Sequence, residues 1–473
     1  MKDIRLSLSH IRIAPSKLLI TASIFFFLIF AGFILYVSNV GLRQTTTPPS
    51  RANKLVDLRT TIAKNKKEIL LIKLLRDPKT GVIRVGRIKK ILGFLPANKK
   101  SKVDDKNNPY VFEVLTNGIV TYSTKFNFLS VIQSPPPQPG APTNNVDDSI
   151  KLREQEAYIK IPTTDSTQLR VRNLQTGTST ILDIQEYSQQ LSTRATSETD
   201  KTTLQVQQPA AATQSTASTL ETDTYYDIVF ISSHYSDFNA YASDVDQLTQ
   251  YLFSIPPYST LQSGIRIWRI DNLQDLGCVY NGRLIQCNIQ TAQEIASQVP
   301  NDTIVIVENN SEYGGAGYLG TAAVTYNNMN DQAKQVMIHE MGHSVGYLGD
   351  EYDFGVTTQT DPNFPNCSMT NPCKWNGTAG TGCFLVCGYS NMYRPSDNSS
   401  VMRTLTPDGG VKYGPVSDQT MFDVIASHLV TIPTTAPTAT PTPIPPTATP
   451  TPVCLAVTKT PANKTANFFS TGG

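Results

Sequence analysis

A chain of 473 residues with a formal net charge of +2 has room for roughly three domains and lacks the basic excess that a nucleic-acid partner demands. Its 31 prolines and 16% charged residues suit a secreted or surface protein with linkers better than a compact cytosolic enzyme.

Residues 1–17 form a basic tail (Lys2, Arg5, Arg12, Lys17), followed at 18–37 by LLITASIFFFLIFAGFILYV, a run without a charge. That is about the length a bilayer core requires. The basic flank favours an N-terminus that stays inside while the bulk of the chain is exported. An uncleaved transmembrane anchor is therefore expected. The alternative is a cleaved signal peptide and a secreted product, although no A-x-A-like site follows the run.

Residues 51–107 are rich in Lys and Arg and include DLRTTIAKNKKEILLIKLL, whose apolar spacing predicts a basic juxtamembrane helical region. PYVFEVLTNGIVTYSTKF then reads as two strands joined at Asn117 and Gly118, a hairpin signal. After the proline-rich break at 135–142, IKLREQEAYIKI, TQLRVRNL and TSTILDI predict further strands. Residues 108–188 are thus expected to form a small all-β domain that packs or presents substrate. Residues 189–222, rich in Ser, Thr, Gln and Ala, read as a linker.

The region 223–430 alternates strand and helix patterns. YDIVFISSHYSDF is a buried strand leading into a loop, and DFNAYASDVDQLTQYLFSI has helical spacing. GIRIWRIDN and DTIVIVENN give further strands. His234, just past the first strand, reads as a loop histidine with local hydrogen bonds. Cys278 and Cys287 flank VYNGRLIQ, whose Asn281 and Gly282 suit a tight turn, so a disulfide across a hairpin is plausible there. GGAGYLG and TAAVTY precede a helix expected to start near Asn330 or Asp331 as N-cap.

That helix carries QVMIHEMGHSVGYLGDEY at 335–352. His339 and His343 are four apart, so on a helix their imidazoles share one face and can hold one metal ion. Glu340 lies where a carboxylate can take a proton from water at the metal without itself being a ligand. This is H-E-x-x-H, the zinc peptidase signature. In the metzincin form, H-E-x-x-H-x-x-G-x-x-H/D, a glycine turns the chain so that a third ligand folds back. Gly346 occupies that glycine position. Gly349, at the usual third-ligand position, has no side chain to offer. His10, His234 and His428 are remote in sequence, which leaves Asp350 as third ligand with Glu351 in reserve.

Cys367, Cys373, Cys383 and Cys387 follow with spacing C-x5-C-x9-C-x3-C. Behind an export segment, disulfides are preferred to a structural zinc site, and three connectivities are open. Cys454 is left over. Residues 431–453 form a Pro/Thr-rich extended linker, and 454–473 a C-terminal tail without legible chemistry.

HEMGHSVGYLGDEY resembles the IgA-peptidase family of metzincin metallopeptidases, whose helix carries H-E-x-G-H-S-x-x-x-L-x-D-E-Y. His339, Glu340, Gly342, His343, Ser344, Leu348, Asp350, Glu351 and Tyr352 match it position by position. The similarity runs from about 225 to 430, through DIVFISSHYSDF upstream and SSVMRTL and YGPVSDQ downstream. It implies an α/β metzincin-like catalytic domain (a mixed sheet plus the active-site helix), behind the N-terminal transmembrane helix and the small all-β domain. It also implies Zn2+ as cofactor and a protein or peptide substrate. Met402 in SSVMRTL is the candidate Met-turn, packing beneath the zinc histidines. Residues 317–326, just before the zinc helix, are expected to be a sheet edge to which an extended peptide adds. Tyr352, Tyr393 and Tyr413 are candidates for a phenol near the oxyanion.

The expectation is a membrane-anchored, extracytoplasmic zinc metalloendopeptidase associated with the cell surface, with Glu340 as general base. A degenerate surface binding module and a zinc amidase acting on cell-wall peptides are the alternatives. The intact Glu340 speaks against the first, because binding alone has no use for a general base.

Overall fold

The computed structural model describes residues 65–95, 109–138, 150–164, 168–183, 225–330, 332–356 and 364–429. The basic tail, the apolar run at 18–37, the linkers at 189–222 and 431–453, Cys454 and the C-terminal tail lie outside them. Among the described residues no helix is long and apolar enough to cross a membrane.

Where a basic helix was expected, KEILLIKLLR forms β1 (Lys67–Arg76) and IRVGRIKKILG forms β2 (Ile83–Gly93), paired antiparallel. The physical reason is burial of β1 from both sides. Leu70, Ile72 and Leu74 enter one hydrophobic core, while Ile69 and Leu71 are also buried. Apolar residues at both parities satisfy a helical period as readily as a two-sided strand. A turn decides it: the Asp77 carboxylate accepts from the Lys79 and Thr80 N–H groups, and Gly81 takes φ +73°.

The strands expected further on are β3 (Tyr110–Thr116), β4 (Ile119–Phe126), β6 (Ile150–Pro162), β7 (Gln168–Asn173) and β8 (Ser179–Asp183), and between β4 and β6 lies β5 (Leu129–Gln133), which was not expected. Asn117 and Gly118 turn the β3–β4 hairpin with φ of 52° and 80°, the positive values a two-residue type I′ turn needs. A four-stranded sheet, β4-β3-β7-β8, lays Phe112, Val114, Leu169 and Val171 against Leu70, Ile72, Ile159 and Ile161. Each such side chain fully buried contributes about 1.5–3 kcal/mol.

The following region supplies β9 (Tyr226–Ser233), α1 (Phe238–Leu252), β10 (Ile265–Ile270), β11 (Val279–Asn281), β12 (Leu284–Gln286), α2 (Ile289–Ala296), β13 (Thr303–Glu308), β14 (Gly315–Tyr318) and β15 (Ala322–Tyr326). After these come α3 (Ala333–Gly346), β16 (Asp353–Val356), β17 (Phe384–Arg394) and α4 (Pro415–Ala426). Strands β9, β10 and β13 are buried at every position, as parallel strands covered on both faces must be. Strands β10, β9, β13 and β15 run parallel in that order, and β14 turns back antiparallel to β15. The described residues thus form a mixed α/β fold with few helices.

The sheet does not stop at β14. Its order is β10-β9-β13-β15-β14-β5-β6-β1-β2, with the β11–β12 hairpin joined through β12, eleven strands in all among the described residues. The expected sheet edge at 317–326 is therefore absent. Strand β15 lies between β13 and β14, and β14 pairs with β5 on its other side through Gly317↔Gln133 and Tyr318↔Ile132. Side chains add to this junction: Lys89 and Glu294 meet at 2.8 Å, and Lys160 Nζ donates to Asn301 Oδ1 at 2.9 Å.

Three disulfides are formed among the described residues. Cys278–Cys287 bridges the β11–β12 hairpin, and of the three connectivities open to the other four cysteines the protein uses Cys367–Cys387 with Cys373–Cys383.

Candidate metal centre

Helix α3 is buried on all sides: Val336 through Gly346 are covered without a break, the pattern of a helix running through a core. It begins at Ala333 with Gln332 as N-cap and no side-chain cap bond, so Asn330 does not cap it, and Asp331 lies outside the described residues. His339 and His343 project from one face, one turn apart. His339 Nδ1 donates to the Val401 carbonyl at 2.9 Å and His343 Nδ1 to the Leu348 carbonyl at 2.6 Å. A carbonyl can only accept, so each Nδ1 carries the proton and each Nε2 presents a lone pair. Burial lowers the His339 pKa and favours this neutral form.

The two Nε2 atoms are 3.1 Å apart, and Asp350 Oδ1 lies 3.0 Å from one and 3.3 Å from the other. None of these contacts is a hydrogen bond, because no proton lies between the atoms; Asp350 Oδ1 accordingly has no donor among the described residues. Three buried lone pairs facing one another repel unless a cation sits among them. Tetrahedral zinc with nitrogen and oxygen ligands at about 2.0–2.2 Å spaces its ligands about 3.3 Å apart or slightly more. The triangle of donors fits that spacing to within a few tenths of an ångström. His339, Glu340 and His343 also offer ligand atoms within 4.8 Å of one another.

Glu340 is fully buried, and neither carboxylate oxygen has a hydrogen-bond partner among the described residues. Its Oε2 is 3.9 Å from His343 Nε2, outside the triangle but beside it. Burial, reinforced by the Asp350 charge, pushes the Glu340 pKa well above the ordinary carboxylate value.

The turn after α3 is made differently from the sequence reading. Tyr347, not Gly346, adopts the left-handed conformation, with φ 52°. The Tyr347 and Leu348 N–H groups close the helix end on the His343 and Gly342 carbonyls. Gly346 stays helical and is small for another reason: a Cβ there would lie 2.5 Å from Met421 Sδ on α4. Gly349 is clamped by Asn366, which accepts from its N–H at 2.7 Å and donates to its carbonyl at 2.8 Å. A side chain at Gly349 would strike Phe364 and Cys367.

Asp350 and Glu351 then point in opposite directions. Glu351 accepts from Asn366 Nδ2 at 3.0 Å and Ser396 Oγ at 2.8 Å, and burial raises its pKa to about 7 against those bonds. It braces the loop and has both oxygens engaged away from the histidines. Met402 lies under α3, its Sδ 2.5 Å from where a Cβ on Gly342 would stand. Its carbonyl takes the Glu351 N–H. Tyr413 donates to the Ile338 carbonyl and so braces the helix backbone. Tyr393 pairs through its backbone with Ser368. Tyr352 does reach it, with its ring 6.3 Å from that of His339 and its hydroxyl on the Ser134 carbonyl at 2.7 Å. His234 binds Glu308 at 2.7 Å and Asp275 at 3.2 Å, away from the triangle.

Three features escaped the sequence reading. Gly315 and Gly317 face the helix from β14: a Cβ on the first would lie 2.8 Å from Glu340 Oε1 and on the second 2.4 Å from His343 Cδ2. Glycines two apart in a strand share one face, so the alternation in GAG was the available signal. Gln133 Nε2 donates to Asp350 Oδ2 at 3.0 Å from 217 positions away, which no local pattern announces. Arg283 donates to the Pro135 carbonyl.

A mixed α/β sheet with one buried helix carrying two unprotonated imidazole nitrogens, a facing aspartate and an unpartnered glutamate has the layout of a metal-dependent hydrolase site. The family model described as IgA Peptidase M64 matches residues 269–385, from β10 through α3 and Asp350 into β17. That match supports the membership of this chain in the IgA-peptidase family, suggests a metallopeptidase, and implies a protein or peptide substrate. No curated protein matched the chain.

Proposed function

We propose that the chain is a zinc metalloendopeptidase whose metal is held by His339, His343 and Asp350. The observation that carries this reading is the convergence of three buried, proton-free donor atoms within 3.3 Å of one another. Zinc bound there would polarise a peptide carbonyl and acidify water. Glu340 would take the proton from the attacking water on a carboxylate oxygen and deliver it to the leaving amine. The Nδ1 bonds to Val401 and Leu348 keep both imidazoles in the ligating tautomer throughout. Met402 and Tyr413 would hold α3 from beneath while β14 presses on it from the opposite side. The apolar run at 18–37 would anchor this machinery to a membrane, with the disulfide-bearing part outside.

Asp350 and Glu351 make the reading testable at one pair of positions. Asp350→Asn should weaken zinc binding by roughly 10–100-fold, the loss typical of a disturbed ligand shell, in a titration against a chromogenic chelator. Glu351→Gln should leave zinc affinity near wild type and lower the unfolding midpoint instead. The reverse pattern would give the third ligand to Glu351.

A further inference from the structure

We propose that residues 132–136 of this chain occupy the groove in which a substrate backbone would lie, so that the full chain is latent. In the same proposal Arg283, Tyr313 and Tyr352 are the groups that grip the carbonyls of an incoming peptide. The proposal rests on the peptidase reading and extends it to the regulation of the site.

The segment is seated through its backbone. Ile132 and Gln133 pair antiparallel with Tyr318 and Gly317 of β14, the strand whose glycines press on Glu340 and His343. The next three carbonyls are each taken by a side-chain donor: Ser134 by the Tyr352 hydroxyl at 2.7 Å, Pro135 by Arg283 Nε at 2.5 Å, and Pro136 by the Tyr313 hydroxyl at 2.5 Å. A proline offers an acceptor and no N–H, and the groups that meet these prolines are donors. Recognition of this kind reads an extended backbone irrespective of its side chains, which is how strand addition holds a peptide.

The segment's own glutamine side chain is treated differently. Gln133 Oε1 is buried without a hydrogen-bond partner among the described residues, although Gln133 is only 1% exposed. Leaving such a group unsatisfied costs about 1–3 kcal/mol, so the seat is shaped for main chain and not for this sequence. At its upstream end Gln133 Nε2 rests on Asp350 Oδ2, which carries the segment up to the metal-binding triangle. An incoming peptide cannot pair with β14 until β5 leaves it.

The test uses the full chain with Ile132→Gly, Gln133→Gly, Pro135→Gly and Pro136→Gly combined, which keeps the connection between β5 and β6 at its natural length. Zinc content and kcat/KM on a quenched fluorescent peptide library are measured beside wild type. The result expected is full zinc occupancy at saturating metal in both proteins, with affinity lowered in the variant by loss of the Gln133 bond to Asp350, and a rise in kcat/KM of about tenfold or more, the gain when an open fraction near one-tenth becomes complete. A synthetic peptide of residues 129–137 should then inhibit the variant competitively and have no further effect on wild type. Unchanged kcat/KM with full zinc would overturn the proposal. Loss of zinc would also overturn it, showing that the segment supports the metal ligands instead of covering them. Full zinc with no cleavage by either protein would instead remove the peptidase reading itself. Gln133→Ala alone, a milder change should the combined variant not fold, is expected to raise kcat/KM in the same direction; a fall or no change would count against the proposal.

Discussion

Gly317→Ala adds one methyl group where β14 meets α3. The added Cβ would lie 2.4 Å from His343 Cδ2, 2.6 Å from its Cβ and 2.7 Å from its Cγ. Carbon atoms in contact sit about 3.5–4.0 Å apart, so strand and ring must separate by about 1 Å. The strand resists, because β15 and β5 hold it from both sides. The imidazole therefore yields, losing its Nδ1 bond to Leu348 and swinging Nε2 out of the donor triangle. Overpacking of this size costs about 1–3 kcal/mol, and loss of the partner that orients a ligand histidine costs about 10–100-fold in metal affinity. Gly315→Ala is the companion change. Its Cβ would press on Val336 at 2.5 Å and Glu340 Oε1 at 2.8 Å, so kcat should fall by about 10²-fold, the cost of a misplacement of about 1 Å, with a smaller effect on zinc affinity. Chelator competition, urea unfolding and single-peptide kinetics separate the three quantities. Wild-type zinc affinity in Gly317→Ala together with wild-type kcat in Gly315→Ala would refute the reasoning that β14 sets the positions of these side chains.

Burial lowers the Lys160 pKa from its ordinary 10.5 to about 7, against the opposing pull of Asp302. Between those values the unfolded chain binds the extra proton, so this lysine's cost to stability is fully present below pH 7 and fades as pH rises towards 10.5. Lys160→Met should therefore stabilise the fold on the order of a few kcal/mol below pH 7 and by much less above pH 10, in urea melts across that range; a gain independent of pH would contradict the assignment. Cys367→Ser combined with Cys387→Ser opens a loop of sequence separation 20 and should cost about 3 kcal/mol. Because Cys367 Sγ would lie 3.0 Å from a Cβ on Gly349, zinc affinity should fall with it; a stable variant with unchanged zinc binding would separate this disulfide from the site.

What was legible in the sequence followed local periodicity. Uninterrupted apolar runs gave β9, β10 and β13, and the i, i+4 histidines gave the two imidazoles of one face. Asn117 and Gly118 gave a hairpin because positive φ at both positions is a local demand. β1 was misread because Ile69 to Leu74 is apolar at both parities, and the second face is covered only in the folded molecule. The glycine at the helix end was legible as a small residue but not in its role: Tyr347 makes the turn, and Gly346 makes room for Met421. The choice between Asp350 and Glu351 depends on Asn366 and Ser396, which reach Glu351 from later loops. The occupied edge of β14 could not be read at all, since Gln133 meets Asp350 across most of the described chain.

The most direct measurement is metal content and peptide cleavage of Glu340→Gln against Glu340, both carried in the opened 132–136 background so that the groove is free. The account predicts about one zinc per chain in both proteins and a fall in kcat of about 10²–10⁴-fold on removing the general base. Cleavage that survives Glu340→Gln, or a protein that holds no metal, would contradict it.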